Sequence, residues 1–240
     1  MRPNLVSRLK HFFSETAQIN KSKNTGNNTT LYQFIIDRSS SMSGLEQMVI
    51  DGYNEHLSAV KNLQATFPEQ QFLVSLLTFD NEVQWLVKPA PIDKLKELPS
   101  AAFKPRGMTA LLDAIGKGIH QIESEYARKI QNDEMSVVLV IITDGEENAS
   151  RFFNVRSIAK KIKERDQTGK WTFSFIGCDF DASNISKKLN IRRENVRNYD
   201  KRAYGLMSKN IDRTFMRYAE SKSNGSFGKE VFHFFEEGEE

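Results

Sequence analysis

Leu31-Tyr32-Gln33-Phe34-Ile35-Ile36-Asp37-Arg38-Ser39-Ser40-Ser41 is the stretch whose reading decides the fold. A short run, mostly apolar and partly β-branched, stops at an aspartate and a serine-rich turn. Such a run, ended by a turn signal, reads as a strand buried on both faces. The same grammar recurs at 136–142, Ser-Val-Val-Leu-Val-Ile-Ile, which leads into Thr143-Asp144-Gly145. Between and after these two strands the signals alternate. Leu45, Met48, Val49, Tyr53, Leu57, Val60 and Leu63 mark a helix over 45–63. A strand is expected at 72–79, a turn at Asp80-Asn81 and a returning antiparallel edge strand at 82–87. Pro89, Pro91, Pro99 and Pro105 then punctuate an irregular crossing. Helices follow at 110–131, 153–165, 182–189 and 201–219, with strands at 171–177 and 196–199. This order predicts a doubly wound α/β fold of Rossmann-like type. Its central sheet is mostly parallel with one antiparallel edge strand, and helices cover both faces. In such sheets ligands gather beyond the carboxyl ends of the strands.

Composition supports one sizeable core: of 240 residues, 39% are hydrophobic and 27% charged. The expected division is an N-terminal amphipathic helix and linker at 1–30, a main domain at 31–221 and a flexible tail at 222–240. Leu5, Leu9, Phe12 and Phe13 give the first segment its apolar face. Arg2, Arg8 and Lys10 with a single acid, Glu15, only loosely echo a transit peptide. Basic and acidic residues nearly balance, 34 against 31, and no Lys/Arg stripe speaks for a nucleic-acid partner. No stretch reaches the ~20 apolar residues of a membrane span. The single cysteine, Cys178, permits no intramolecular disulfide. A reducing, cytoplasmic setting is therefore expected.

Three separated segments carry the chemistry. Asp37, Ser39 and Ser41 follow the first strand, Thr109 ends Gly107-Met108-Thr109 before a helix, and Asp144 follows the central strand. These are hard oxygen donors without His or Cys, a set suited to Mg²⁺ or Mn²⁺ rather than zinc. Taken alone, Asp-x-Ser-x-Ser also describes an aspartate capping the next helix. Taken together, the segments resemble the von Willebrand factor A family. Its metal-ion-dependent adhesion site is written as Asp-x-Ser-x-Ser, a distant Thr and a distant Asp. Asp37, Ser39, Ser41, Thr109 and Asp144 fill those positions, and the resemblance covers about residues 31–220. Thr109-Ala110-Leu111-Leu112-Asp113-Ala114-Ile115-Gly116, and Ile176-Gly177 followed by Asp181, look like the small cytoplasmic bacterial and phage-type branch similar to tellurite-resistance-associated proteins. Two positions depart from the pattern. Ser40 stands where many members have Gly, which raises the expectation of loop strain. Arg38 is a long cation beside the site, expected to tune which anion approaches.

The resemblance implies a binding module. Hydroxyls of Ser39, Ser41 and sometimes Thr109 touch the cation, Asp37 and Asp144 hold it directly or through water, and a partner protein supplies an Asp or Glu. Kinases, phosphatases or AAA ATPases are the partners this branch implies. A Mg²⁺-dependent phosphatase or phosphotransferase is the enzyme alternative, and a structural domain with an empty site the third reading. No phosphate-cradling Gly-x-x-x-x-Gly-Lys-Ser/Thr loop is present, and no second Asp follows Asp37 as a phospho-aspartyl motif has. Asp113 is expected to complement a helix N-terminus or to bond the metal loop. Glu146, Glu147 and Asn148 are expected at the rim or in a solvated turn. The last residues, Val231-Phe232-His233-Phe234-Phe235 and four glutamates, raise two options: packing on this chain, or self-association through the C-terminal tail with a glutamate on a second copy's metal.

Overall fold

The computed structural model describes residues 28–179, 181–200, 203–225, 227 and 232–235. The expected helix near residues 5–13 and the terminal glutamates lie outside the described residues. Strand β1 (Thr29–Asp37) leads to helix α1 (Glu46–Thr66) and strand β2 (Gln71–Phe79). Strand β3 (Val83–Pro91) turns back, and an irregular crossing leads to α2 (Leu111–Gln131) and β4 (Met135–Thr143). Then come α3 (Val155–Asp166), β5 (Trp171–Cys178), α4 (Ser183–Lys188), β6 (Val196–Tyr199) and α5 (Tyr204–Ser223). The six strands form one sheet in the order β3-β2-β1-β4-β5-β6, parallel except for β3 against β2.

The two strands read first from sequence lie side by side at the centre, and every residue of β1 and β4 is buried. Their alternation sorts side chains to two faces. Tyr32, Phe34 and Ile36 join Val138, Val140 and Ile142 on the face covered by α1 and α5. Leu31 and Ile35 join Val137, Leu139 and Ile141 on the opposite face, under α2 and α3. Each such side chain contributes about 1.5–3 kcal/mol by leaving water. One-residue slippage would exchange the two faces of β1, so the register is firmly set.

Three sequence expectations shift. Strand β3 runs on to Pro91, through Pro89, rather than ending at 87. It is an edge strand with register irregularities against β2, and proline is tolerated where an N–H is not needed for a neighbour. Thr29 and Thr30, taken for linker, already belong to β1. At the other end α5 continues to Ser223, past the expected boundary at 221.

The tail aromatics are used within the chain. Phe234 and Phe235 are buried, and Phe234 packs edge-on against Phe215 of α5. Phe234 N donates to Asn195 Oδ1 at 2.7 Å, and its carbonyl accepts from Thr214 Oγ1 at 2.6 Å and from Arg217 at 2.8 Å. This corrects the option of self-association through docking of those aromatics on a second copy: the rings already have a cover, and withdrawing them would leave a hole over α5. It also corrects the reading of 222–240 as a flexible tail for residues 232–235.

Candidate functional site

The connection after β1 leads to α1 on one face, and that after β4 leads to α3 on the other. A crevice therefore opens between the carboxyl ends of β1 and β4, the place where such sheets bind ligands. Pairing of Ile36 with Ile142 brings Asp37 and Thr143 to that crevice together.

Asp37 is fully buried. Its Oδ2 accepts from Thr143 Oγ1 at 2.6 Å, and its Oδ1 accepts from the Ser39 amide at 2.7 Å. Burial pushes the Asp37 carboxyl up to about 6; the Thr143 and Ser39 hydrogen bonds oppose the rise, and the Asp144 charge adds to it. Ser39 Oγ and Ser41 Oγ lie 3.0 Å apart, and Ser41 Oγ donates to Asp144 Oδ1 at 2.7 Å. Thr109 arrives from the crossing before α2. A Cβ placed on Gly145 would stand 3.6 Å from Thr109 Oγ1 and 4.0 Å from Ser41 Oγ, so both hydroxyls border the space beside Gly145. Asp37, Ser39, Ser41, Thr109 and Asp144 are thus gathered at one rim from segments up to 107 positions apart in sequence. Among the described residues no cluster of three or more His, Cys, Asp or Glu side chains forms a metal cage. The set here has two carboxylates and three hydroxyls, and Ser39 Oγ, Ser41 Oγ and Asp144 Oδ1 already form a hydrogen-bonded chain. That donor chemistry fits a hard divalent cation that keeps part of its water.

The loop after Asp144 is tied to the Thr109 segment in a way the sequence reading did not anticipate. Thr109 N donates to Asn148 Oδ1 at 2.9 Å, and Asn148 N donates back to the Thr109 carbonyl at 3.1 Å. Glu147, expected at the rim or in a solvated turn, instead accepts from Leu112 N at 2.9 Å and so caps the first turn of α2. The same carboxylate accepts from Ser150 N and Ser150 Oγ, both at 2.7 Å. Asp113 is buried and aims at the loop, neither at the cation donors nor at the open helix end. Its carboxylate accepts from the amides of Arg151, Phe152 and Phe153, each at 2.9 Å. Only their acidic or amide character was visible beforehand; their partners lie 35–40 positions away.

Arg38 also departs from expectation. It is buried, with its guanidinium 3.1 Å from Asp80 Oδ2 and donating to Gln84 Oε1 at 2.5 Å. It therefore anchors the β2–β3 turn and is not available to tune an approaching anion. Arg106 donates to the same Asp80 oxygen at 2.8 Å from a largely exposed position. Asp80 is thus a buried anchor as well as the expected turn residue. Asn81 beside it accepts from Met108 N at 2.9 Å. Gly107 has φ +69°, and a Cβ there would meet Asn81 Oδ1 at 2.1 Å, so only glycine fits this approach. Ser40 needs no such freedom: it starts a 3₁₀ turn and is not among the positive-φ residues, so the expected loop strain is absent. Cys178 is a buried residue at the end of β5, as a small apolar side chain would be.

Fold and crevice define a doubly wound α/β domain that presents hydroxyl and carboxylate oxygens at its topological switch point. The sequence pattern of the von Willebrand factor type A domain matches residues 33–202, and the chain belongs to that family. Domains of this family are commonly protein-interaction modules. No match was found among curated proteins. Among solved structures, the chain is similar to the pilus adhesin SpaC from Lactobacillus rhamnosus GG in its open conformation. Identity is 12% and the TM-score 0.58, over 85% of this chain and 31% of the adhesin. It is similar to the vWF domain of the type V pili tip protein Mfa5 from Porphyromonas gingivalis, at 10% identity and TM-score 0.54, over 80% of this chain and 97% of that one. It is also similar to the ArnB paralog VWA2 from Sulfolobus acidocaldarius, at 18% identity and TM-score 0.50, over 79% of this chain. This chain spans 46% of that protein's length. At these identities the likeness concerns the fold. No described helix is long and apolar enough to cross a membrane.

Proposed function

We propose that this domain recruits a partner protein through a divalent cation, Mg²⁺ or Mn²⁺, held by Asp37, Ser39, Ser41, Thr109 and Asp144. The observation that supports it best is the continuous oxygen chain from Ser39 through Ser41 to Asp144, with Asp37 fixed beside it. Hydroxyl donors carry no formal charge, so a cation held mainly by them stays electrophilic. A carboxylate from a partner Asp or Glu is then its strongest remaining ligand. In this reading Thr143 orients Asp37, Asn148 positions Thr109, and the bound cation supplies an attractive charge for the partner. The resemblance of the phrase from Thr109 to Gly116 supports, in this proposal, membership of the cytoplasmic branch similar to tellurite-resistance-associated members. Its partners there are kinases, phosphatases or AAA ATPases.

Metal binding is tested by thermal unfolding with Mg²⁺ or Mn²⁺ against EDTA. A ligand of the native state at 100 times its Kd stabilises by about 2.7 kcal/mol, which raises Tm measurably. Asp37→Ala and Asp144→Ala should each remove that rise. An unchanged metal response in both variants overturns the site. Release of a captured partner by EDTA tests the second half, and metal-dependent turnover of a generic phosphoester would favour the enzyme reading instead.

A further inference from the structure

Three large apolar side chains are strongly exposed among the described residues: Phe152 at 74%, Met108 at 49% and Leu206 at 45%. All three lie at the carboxyl end of the sheet; Met108 and Phe152 are on segments that carry site donors, and Leu206 is on a neighbouring element. Met108 immediately precedes Thr109. Phe152 is on the loop that continues from Asp144. Leu206 is in the first turn of α5, next to Gly205, which shares a shallow hollow with Gly44, three residues beyond Ser41. Scattered exposed apolar residues are ordinary, but here every strongly exposed large one among the described residues lies at the carboxyl end of the sheet.

Phe152 is also held in place. The amides on either side of it, and its own, are bonded to the buried Asp113 carboxylate. Lys117 Nζ lies 5.2 Å from the centre of its ring. A fixed aromatic costs little further entropy when it is covered, which is the property of an interface anchor. Met108, unbranched and polarisable, can adapt to varied apolar shapes. Exposed cations flank the two side chains in sequence, Arg151 next to Phe152 and Lys104 four residues before Met108, against one exposed acid, Glu146, on the loop after Asp144; the cations are the sign complementary to an acidic ligand.

We infer that Met108, Phe152 and Leu206 form apolar contacts around the cation site that select a partner segment whose Asp or Glu is flanked by apolar side chains. This rests on the metal-dependent reading above and names the partner chemistry that reading leaves open. Desolvating an apolar neighbour beside the carboxylate adds affinity that the cation alone does not discriminate, and so gives specificity.

The test is selection from a displayed peptide library with a fixed central Asp and randomised flanks, using the full chain in Mg²⁺. The expected result is enrichment of Leu, Ile, Phe or Met beside the Asp, with selected peptides released by EDTA. A selected peptide should bind the triple variant Met108→Ser, Phe152→Ser, Leu206→Ser at least about tenfold more weakly, the loss of a single strong interface contact. Circular dichroism and Tm in EDTA establish that the variant is folded. Enrichment with Mg²⁺ dependence but polar flanks overturns the inference and leaves the cation site standing. Apolar enrichment that survives both EDTA and Asp144→Ala upholds the apolar surface and overturns the cation site. Equal binding by the triple variant, or no enrichment under any condition, overturns the inference.

Discussion

Asn148 and Thr109 hold each other by two hydrogen bonds, one through the Asn148 side chain and one through its amide. The loops that carry Thr109 and Asp144 are therefore one mechanical unit, and the space between their oxygens is set by a residue that is not itself among the proposed donors. Asn148→Ala removes one of the two bonds and strands the Thr109 amide. A bond of this kind contributes about 1 kcal/mol, so Mg²⁺ affinity measured calorimetrically should fall about fivefold. An affinity equal to that of the unaltered chain would show that Thr109 is placed without it.

Arg38 and Arg106 converge on Asp80, but only Arg38 is buried. Arg38→Ala leaves a buried carboxylate with an exposed partner alone, and unfolding in urea should show a loss of about 3 kcal/mol. Arg106→Ala should cost far less in the same measurement, because its pairing is screened by water.

Lys222 is a titratable group strongly affected by the fold. It is buried at the amino end of the sheet, where Nζ donates to the Thr29 carbonyl at 3.0 Å, Thr30 Oγ1 at 2.8 Å and Ser136 Oγ at 3.1 Å. Burial pulls its ammonium from the ordinary 10.5 down to about 7. Between those values the unfolded chain holds the proton and the folded chain does not, so stability should rise with pH across about 7 to 10.5. The slope from this one group approaches about 1.4 kcal/mol per pH unit. Lys222→Met should flatten that part of the profile, followed by denaturant unfolding at pH 7, 8, 9 and 10. A profile as steep in the variant would assign the effect to other groups.

Phe234 and Phe152 make opposite forecasts from the same residue type. Phe234 is buried against α5, and Phe234→Ala should destabilise by about 3–5 kcal/mol in thermal unfolding. Phe152→Ala should change stability by no more than about 0.5 kcal/mol, its ring being largely in solvent.

Much of this architecture can be read from residue order alone. The apolar runs before Asp37 and Asp144 mark the two central strands because a strand covered on both faces has no polar side. The three separated site segments could be assembled because the carboxyl ends of parallel strands share a rim. What stayed hidden depends on contacts between residues 17 to 106 positions apart. Glu147 looks like one more surface acid until the α2 N-terminus is placed against it. Arg38 looks free until the β2–β3 turn delivers Asp80. Thr143 stands in plain view beside Asp144, but its role in fixing Asp37 needs the β1–β4 register. The aromatic tail was ambiguous because burial of Phe234 requires a site on α5 that composition does not reveal.

The grip of Asp113 on three consecutive amides has a consequence for how this surface behaves in time. Loops that face solvent ordinarily exchange their amide hydrogens within seconds, since nothing holds the N–H groups closed. Arg151, Phe152 and Phe153 are closed by a buried carboxylate rooted in a helix. Hydrogen–deuterium exchange should find them slow, at rates nearer those of the first turns of α2 than those of a surface loop. Asp113→Asn, which weakens the acceptor while keeping its shape, should release all three together.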